Sequence, residues 1–201
     1  MEGTNNVVEL CGTPAERPIF SHSGGDEDYF IFPLEIERLS GYADRINIVA
    51  RQTLLSGLEI GDGSRLNVVG ELRSFNNKKG GGSRLVITVL AKELCFSDDE
   101  DMNKVLLSGV ICKQPSLRRT PMGRQISDLM LAVNRRYGRS DYLPCIAWGR
   151  LAETAAGLNV GDSISFEGRI QSRKYIKTED GAPVERTAFE VSIVELREGE
   201  G

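Results

Sequence analysis

Asn6-Val7-Val8-Glu9-Leu10-Cys11-Gly12, near the start of the chain, returns as Asn103-Lys104-Val105-Leu106-Leu107-Ser108-Gly109. Gly57-Leu58-Glu59-Ile60-Gly61-Asp62 returns as Gly157-Leu158-Asn159-Val160-Gly161-Asp162, and Gly70-Glu71-Leu72-Arg73-Ser74 as Gly168-Arg169-Ile170-Gln171-Ser172. The offsets are 97 (Gly12 to Gly109), 100 (Gly61 to Gly161) and 98 (Gly70 to Gly168). Landmarks in one order at nearly constant spacing mean two copies of one domain. The period far exceeds the roughly 20–50 residues of a solenoid repeat, so each copy should close its own core.

The whole chain has 201 residues, 40% hydrophobic and 27% charged, an ordinary globular composition. Apolar runs are short, such as Leu129–Val133, so no membrane span is expected. No basic region followed by an apolar stretch marks a signal peptide. Cys11, Cys95, Cys112 and Cys145 are scattered without a Cys-x-x-Cys, which suits a reduced cytosolic protein better than a zinc site or a disulfide scaffold. The single histidine, His22, sits in a Ser/Gly-rich loop and reads as a surface residue.

Net charge separates the copies. Residues 1–102 hold 10 Lys+Arg and 17 Asp+Glu, a sum of −7; residues 103–201 hold 15 and 12, a sum of +3. Such asymmetry points to a polyanion-facing second half, against the plainer alternative of solvated surface of random sign.

Ser97-Asp98-Asp99-Glu100-Asp101 marks the boundary, since consecutive acids repel one another and carry no apolar period. The organisation expected is a first domain over 1–97, an acidic linker over 98–102, a second domain over 103–197 and a short tail over 198–201. In the second copy, Lys104–Ile111 is rich in aliphatic and β-branched residues. Leu129, Leu131 and Val133 alternate with Asp128, Met130 and Ala132, and Thr187, Phe189, Val191 and Ile193 alternate with Ala188, Glu190 and Ser192. Period-two alternation marks half-buried strands. Tyr142–Trp148 reads as another strand, with Pro144 suggesting an edge or an irregular start. Arg150–Ala156 reads as a helix ended by Gly157. Strand, strand, strand, short helix, strand, strand is the plan of the oligonucleotide/oligosaccharide-binding (OB) barrel, which holds ligand on strands two and three and in the loops joining strands one–two and four–five. The fold class expected is therefore all-β with short helices, as two tandem five-stranded OB-fold barrels.

Four rings occupy those positions. Tyr137 lies in the loop between strands two and three beside Arg135, Arg136 and Arg139. Tyr142 and Trp148, six apart on one strand, share a face. Tyr175 begins the strand four–five hairpin beside Arg173, Lys174 and Lys177. Rings interleaved with cations are what single-stranded nucleic acid asks for: every base has a π face to stack, and the backbone needs positive charge. The alternative is that the rings pack in the core, a serious rival for Trp148, which adjoins the helix.

Leu117-Arg118-Arg119-Thr120-Pro121-Met122-Gly123, Leu131-Ala132-Val133-Asn134-Arg135-Arg136-Tyr137, Ala147-Trp148-Gly149-Arg150-Leu151-Ala152-Glu153 and Glu167-Gly168-Arg169-Ile170-Gln171-Ser172-Arg173-Lys174-Tyr175 resemble the bacterial single-stranded DNA-binding protein family, over essentially all of the second copy. The resemblance implies that Tyr137, Tyr142, Trp148 and Tyr175 stack on bases. Arg118, Arg119, Arg135, Arg136, Arg139, Arg173, Lys174 and Lys177 are the candidate phosphate contacts. The first copy departs from the family. Ile48-Val49-Ala50 is the stretch matched to Trp148, the Tyr142 position falls near Asp44, and the Tyr175 region becomes Phe75-Asn76-Asn77. The acid run Asp26-Glu27-Asp28 would repel phosphate, while Lys78, Lys79 and Arg84 flank a glycine-rich tip that could meet it. A degenerate OB domain kept for packing or dimerisation is expected there.

The resemblance further implies a homodimer presenting four barrels, single-stranded DNA as ligand, replication, recombination or repair proteins as partners, and a cytoplasmic, nucleoid-associated location. The chain ends at Glu198-Gly199-Glu200-Gly201, which puts partner recruitment by the family's acidic tip in doubt. No catalytic set, metal site or cofactor is expected: no glycine-rich loop has phosphate-binding spacing, and one histidine supports no catalytic triad. The rivals are a primosomal OB-fold protein of replication restart and a protein-interaction scaffold built on OB folds.

Overall fold

The computed structural model describes residues 5–61, 63–77, 85–135, 138–179 and 181–197. The expected tail at 198–201, Arg136, Tyr137, Lys78, Lys79 and Arg84 lie outside them. Eleven strands and two short helices divide between two compact units. The first unit is Val7–Arg73 with Ile87–Val105; the second is Met1–Asn6, Ser74–Val86 and Leu106–Gly201. The division does not follow the repeat residue by residue, because Ser74–Val86 of the first copy groups with the second.

In the first copy, β1 (Asn6–Pro14), β3 (Glu27–Glu37), β4 (Ala43–Arg51), β5 (Leu66–Asn76) and β6 (Leu85–Phe96) close a ring, with β2 (Ile19–Gly24) forming a hairpin on β3. β1 pairs with both β3 and β5, β3 with β4, and β4 runs parallel to β6. In the second copy, β7 (Met102–Arg119), β8 (Gln125–Asn134), β9 (Ser140–Trp148), β10 (Ser163–Glu179) and β11 (Ala182–Arg197) close in the same order. The pairings are β7–β8, β8–β9, β9–β11 in parallel, β11–β10 and β10–β7. Each copy is thus a closed five-stranded OB barrel. α1 (Gln52–Leu55) and α2 (Arg150–Ala156) fall between strands three and four of each. Leu10, Phe32, Leu34, Ile48 and Leu66 fill the first barrel; Ile111, Leu131, Leu143, Phe166 and Ile170 fill the second.

Two features depart from the sequence reading. The first strand of the second barrel does not stop at Ile111. Irregularities between Ile111 and Lys113 and between Lys113 and Ser116 carry β7 on to Arg119. Pro115 sits within the second of them, where a bulge spares the missing N–H a ladder bond. The acidic run is also not wholly solvated. Asp101 pairs with Arg65 at 2.6 Å and accepts the Glu37 amide, and Arg65 also donates to the Asp99 carbonyl at 2.7 Å. The Asp101 carboxylate raises the pKa of the Arg65 guanidinium.

The repeated glycines mark where strands cross at contact. A Cβ on Gly12 would lie 2.3 Å from the Glu35 carbonyl oxygen, and one on Gly109 would lie 2.5 Å from that of Ala132. On Gly70 it would meet the Leu90 oxygen at 2.4 Å and on Gly168 the Ser192 oxygen at 2.6 Å. These obstacles are backbone, so the strand itself must move to admit a side chain. All four cysteines are free: Cys11 and Cys145 are buried, Cys95 and Cys112 exposed.

Gly168→Ala and Gly70→Ala should each destabilise by about 1–3 kcal/mol, the cost of overpacking a closed core. Gly61→Ala, with nothing within 4 Å of the added carbon, should change little. Urea midpoints at constant slope decide it; equal midpoints for all three would remove the crossing constraint.

Candidate nucleic-acid interface

β9 reads Ser-Asp-Tyr-Leu-Pro-Cys-Ile-Ala-Trp. Its buried Asp141, Leu143, Cys145 and Ala147 alternate with Tyr142, Pro144, Ile146 and Trp148 on the other face, where Tyr142 and Trp148 are exposed, Pro144 is half-buried and Ile146 is buried. Tyr142 is 52% and Trp148 37% exposed, so neither ring is a core residue. Six residues at about 3.3 Å each set them about 20 Å apart along the strand. Across the ladder Trp148 is opposite Ile126, Ile146 opposite Asp128, Pro144 opposite Met130 and Tyr142 opposite Ala132. Of these neighbours Ile126 and Ile146 are buried, and Asp128, Met130, Ala132 and Pro144 are half-buried. Tyr175, half-buried on β10, is opposite Arg186 of β11. Tyr137 and Arg136 lie outside the described residues, as does the side chain of Lys177.

The remaining cations divide into two groups. Arg119, Arg139 and Arg173 are exposed, with no ion-pair partner among the described residues. Arg118 is held by Asp128, with one guanidinium contact at 3.0 Å, and that carboxylate raises its pKa. Lys174 meets Glu185 at 3.0 Å, an exposed pair worth little against a phosphate. Arg135 differs in kind. Its Nε donates to the fully buried Asp141 at 2.6 Å and its Nη2 to the Ser74 carbonyl at 3.2 Å. Asp141 also accepts the Ser74 amide at 2.5 Å, and the Ser74 hydroxyl accepts the Tyr142 amide at 2.8 Å. Arg135 therefore braces the backbone beneath Tyr142. Asp141 was not among the expected site residues. Its signal is in the repeat: Arg38 and Asp44 have the same spacing, and their guanidinium and carboxylate meet at 2.5 and 2.6 Å.

The register also corrects the matching of the first copy. β4 shows the same alternation of buried and outward residues as β9, with Asp44 in the place of Asp141. The position of Tyr142 is therefore Arg45, next to Asp44 as expected, and that of Trp148 is Arg51, not the Ile48–Ala50 stretch. Arg45 is paired with Glu16 and, at 3.8 Å, with Glu35.

Known proteins share the family and the fold. A family model described as the Single-strand binding protein family matches residues 102–197. The single-stranded DNA-binding protein of Clostridium tetani is 36% identical over 104 residues, 47% of this chain and 71% of that protein. The chain belongs to the single-strand binding protein family. Single-stranded DNA-binding protein 2 of Listeria innocua is 36% identical over 48% of this chain and 65% of that protein. The chain thus spans a little under two thirds of that relative, and 64% of its Bacillus cereus counterpart. The crystal structure of wild-type single-stranded DNA binding protein from Thermus aquaticus superposes with a TM-score of 0.78 at 25% identity, covering 98% of this chain and 93% of that one. Both copies of this family member, not the second alone, therefore have their counterpart in a solved structure.

In this single-strand binding family member, Asp141→Ala should cost about 3–5 kcal/mol, because it strands a largely buried guanidinium. Asp128→Ala, which frees an exposed arginine, should cost less than about 1 kcal/mol. Chemical denaturation of both separates brace from surface pair; equal costs would contradict the division.

Proposed function

We propose that this protein binds single-stranded DNA without sequence preference, and does so without catalysis. The observation that carries the reading is the pair of exposed rings, Tyr142 and Trp148, on one face of β9, with half-buried Met130 and Ala132 across the ladder. Bases stack on these rings and on Tyr175, and Tyr137 is assigned the same role. Stacking tolerates any sequence because every base offers a π face. Arg119, Arg139 and Arg173 hold phosphates, and Arg136 and Lys177 are assigned with them. Arg118 and Lys174 exchange a carboxylate for a phosphate when DNA arrives. Arg135 acts through the fold, by fixing the strand that carries Tyr142.

The protein works as a homodimer presenting four barrels, beside replication, recombination or repair proteins in the cytoplasm. Two complete barrels in one chain and the family's resemblance support this. No helix among the described residues is long and apolar enough to cross a membrane, and none of their His, Cys, Asp and Glu side chains cluster as metal ligands.

Trp148→Ala and Tyr175→Ala should each weaken oligo-dT binding by about 1–3 kcal/mol. Affinity should fall with salt at a log–log slope of about −0.7 per phosphate neutralised, and Arg119→Glu with Arg139→Glu should flatten it. A slope unmoved by both reversals would refute a phosphate-tracking face. Sedimentation equilibrium at micromolar concentration should give twice the chain mass; the chain mass itself would refute the dimer.

A further inference from the structure

In the second barrel the first strand is sealed onto the loop that follows α2. Ile111 donates its amide to the Asp162 carbonyl and accepts the Gly161 amide, both at 2.9 Å, and the Gln114 side chain donates to the Leu158 carbonyl at 3.1 Å. The first barrel lacks the donors for this seam. The ladder register sets Pro14 opposite Leu34 where Ile111 is opposite Leu131, and proline has no N–H to give. Arg17 stands in the place of Gln114, at the repeat offset of 97. Among the described residues no hydrogen bond joins residues 14–18 to 58–61. The helix above is also shorter: α1 has 4 residues and buries none, where α2 has 7 and buries Ala152 and Ala155.

A groove of about 700 Å³ stands where the second barrel has its seam. Pro18, Phe30, Leu55, Leu58 and Ile60 line it, all half-buried. Phe20, 56% exposed, meets Phe30 edge to face at 6.1 Å and carries the apolar surface on to β2. Arg17 and Glu59 complete the lining; both are exposed, and neither has an ion-pair partner among the described residues. Apolar walls with a few placed polar groups, at roughly 300–1,000 Å³, are the make-up of a ligand site. The two free charges of opposite sign narrow the ligand: Glu59 repels a polyanion, and apolar walls give a phosphate backbone nothing. We propose that this groove docks an extended peptide segment of a partner protein, with bulky apolar side chains in the groove, a carboxylate on Arg17 and a cation on Glu59. The site is built from the first copy alone, and it stands or falls independently of DNA binding by the second.

Short synthetic peptides centred on Phe and Leu test it, with flanks of Asp on one side and Lys on the other, or of Asp, Lys or Ala on both. Fluorescence anisotropy with the full chain should rank the mixed-charge peptides first. Arg17→Glu, at an exposed position that spares the fold, should weaken them by about 5-fold and favour the peptides flanked by Lys on both sides. Pro14→Ile with Arg17→Gln, which supplies the donors of the second barrel's seam, should abolish binding, with oligo-dT affinity unchanged. Absence of binding by every peptide, or a ranking unmoved by Arg17→Glu, overturns the site. A fall in oligo-dT affinity with Arg17→Glu gives the groove to DNA instead, and a halved mass in sedimentation equilibrium gives it to a second copy; either overturns the proposal.

Discussion

Closing five strands on themselves brings them within contact at the crossings, and no side chain fits there. Gly12 and Gly70 carry these crossings in the first barrel, Gly109 and Gly168 in the second, each with a strand carbonyl where a Cβ would stand. Once the barrel is shut, the pleat decides the rest. Alternate residues of every strand enter a core of Leu, Ile, Val and Phe, and those between them must face outward. On β9 that choice puts Asp141, Leu143, Cys145 and Ala147 inside and leaves Tyr142 and Trp148 in solvent. The exposure of these rings is a consequence of closure, which leaves them at positions that point away from the core.

An exposed ring is useful only if its backbone is held still. The Arg135–Asp141 pair, tied to both backbone groups of Ser74, does this beneath Tyr142. Buried ion pairs add little net stability but are costly to break, which suits a positioning role. The same device recurs as Arg38–Asp44 in the first barrel, so the repeat preserves the frame of the face even where its rings have changed.

The repeat, the barrels, the Arg150–Ala156 helix and the shared face of Tyr142 and Trp148 were legible in the sequence, because glycine spacing and period-two alternation report directly on strands. Three things were not. The first strand of the second copy reads as Lys104–Ile111, yet irregular pairing on either side of Lys113 carries β7 past Pro115 to Arg119. Arg135 reads as a phosphate contact beside Arg136 and Arg139, and only the fold brings Asp141 to it. The first copy reads as stripped of rings because a match along the sequence finds Asp44 and Ile48–Ala50, where the register places Arg45 and Arg51. The stacked rings of Tyr29 and His22 become visible only when β2 and β3 are known to be neighbours.

The central claim is that bases lie on Trp148, the single tryptophan of the chain. Its fluorescence, titrated with oligo-dT and with a duplex of the same base composition, tests this most directly. Stacking quenches an indole that a base covers, and a duplex hides its base faces in its own stack. The account predicts saturable quenching by the single strand and almost none by the duplex at the same concentrations. Equal quenching by both, or binding of the single strand with the emission unchanged, would contradict it.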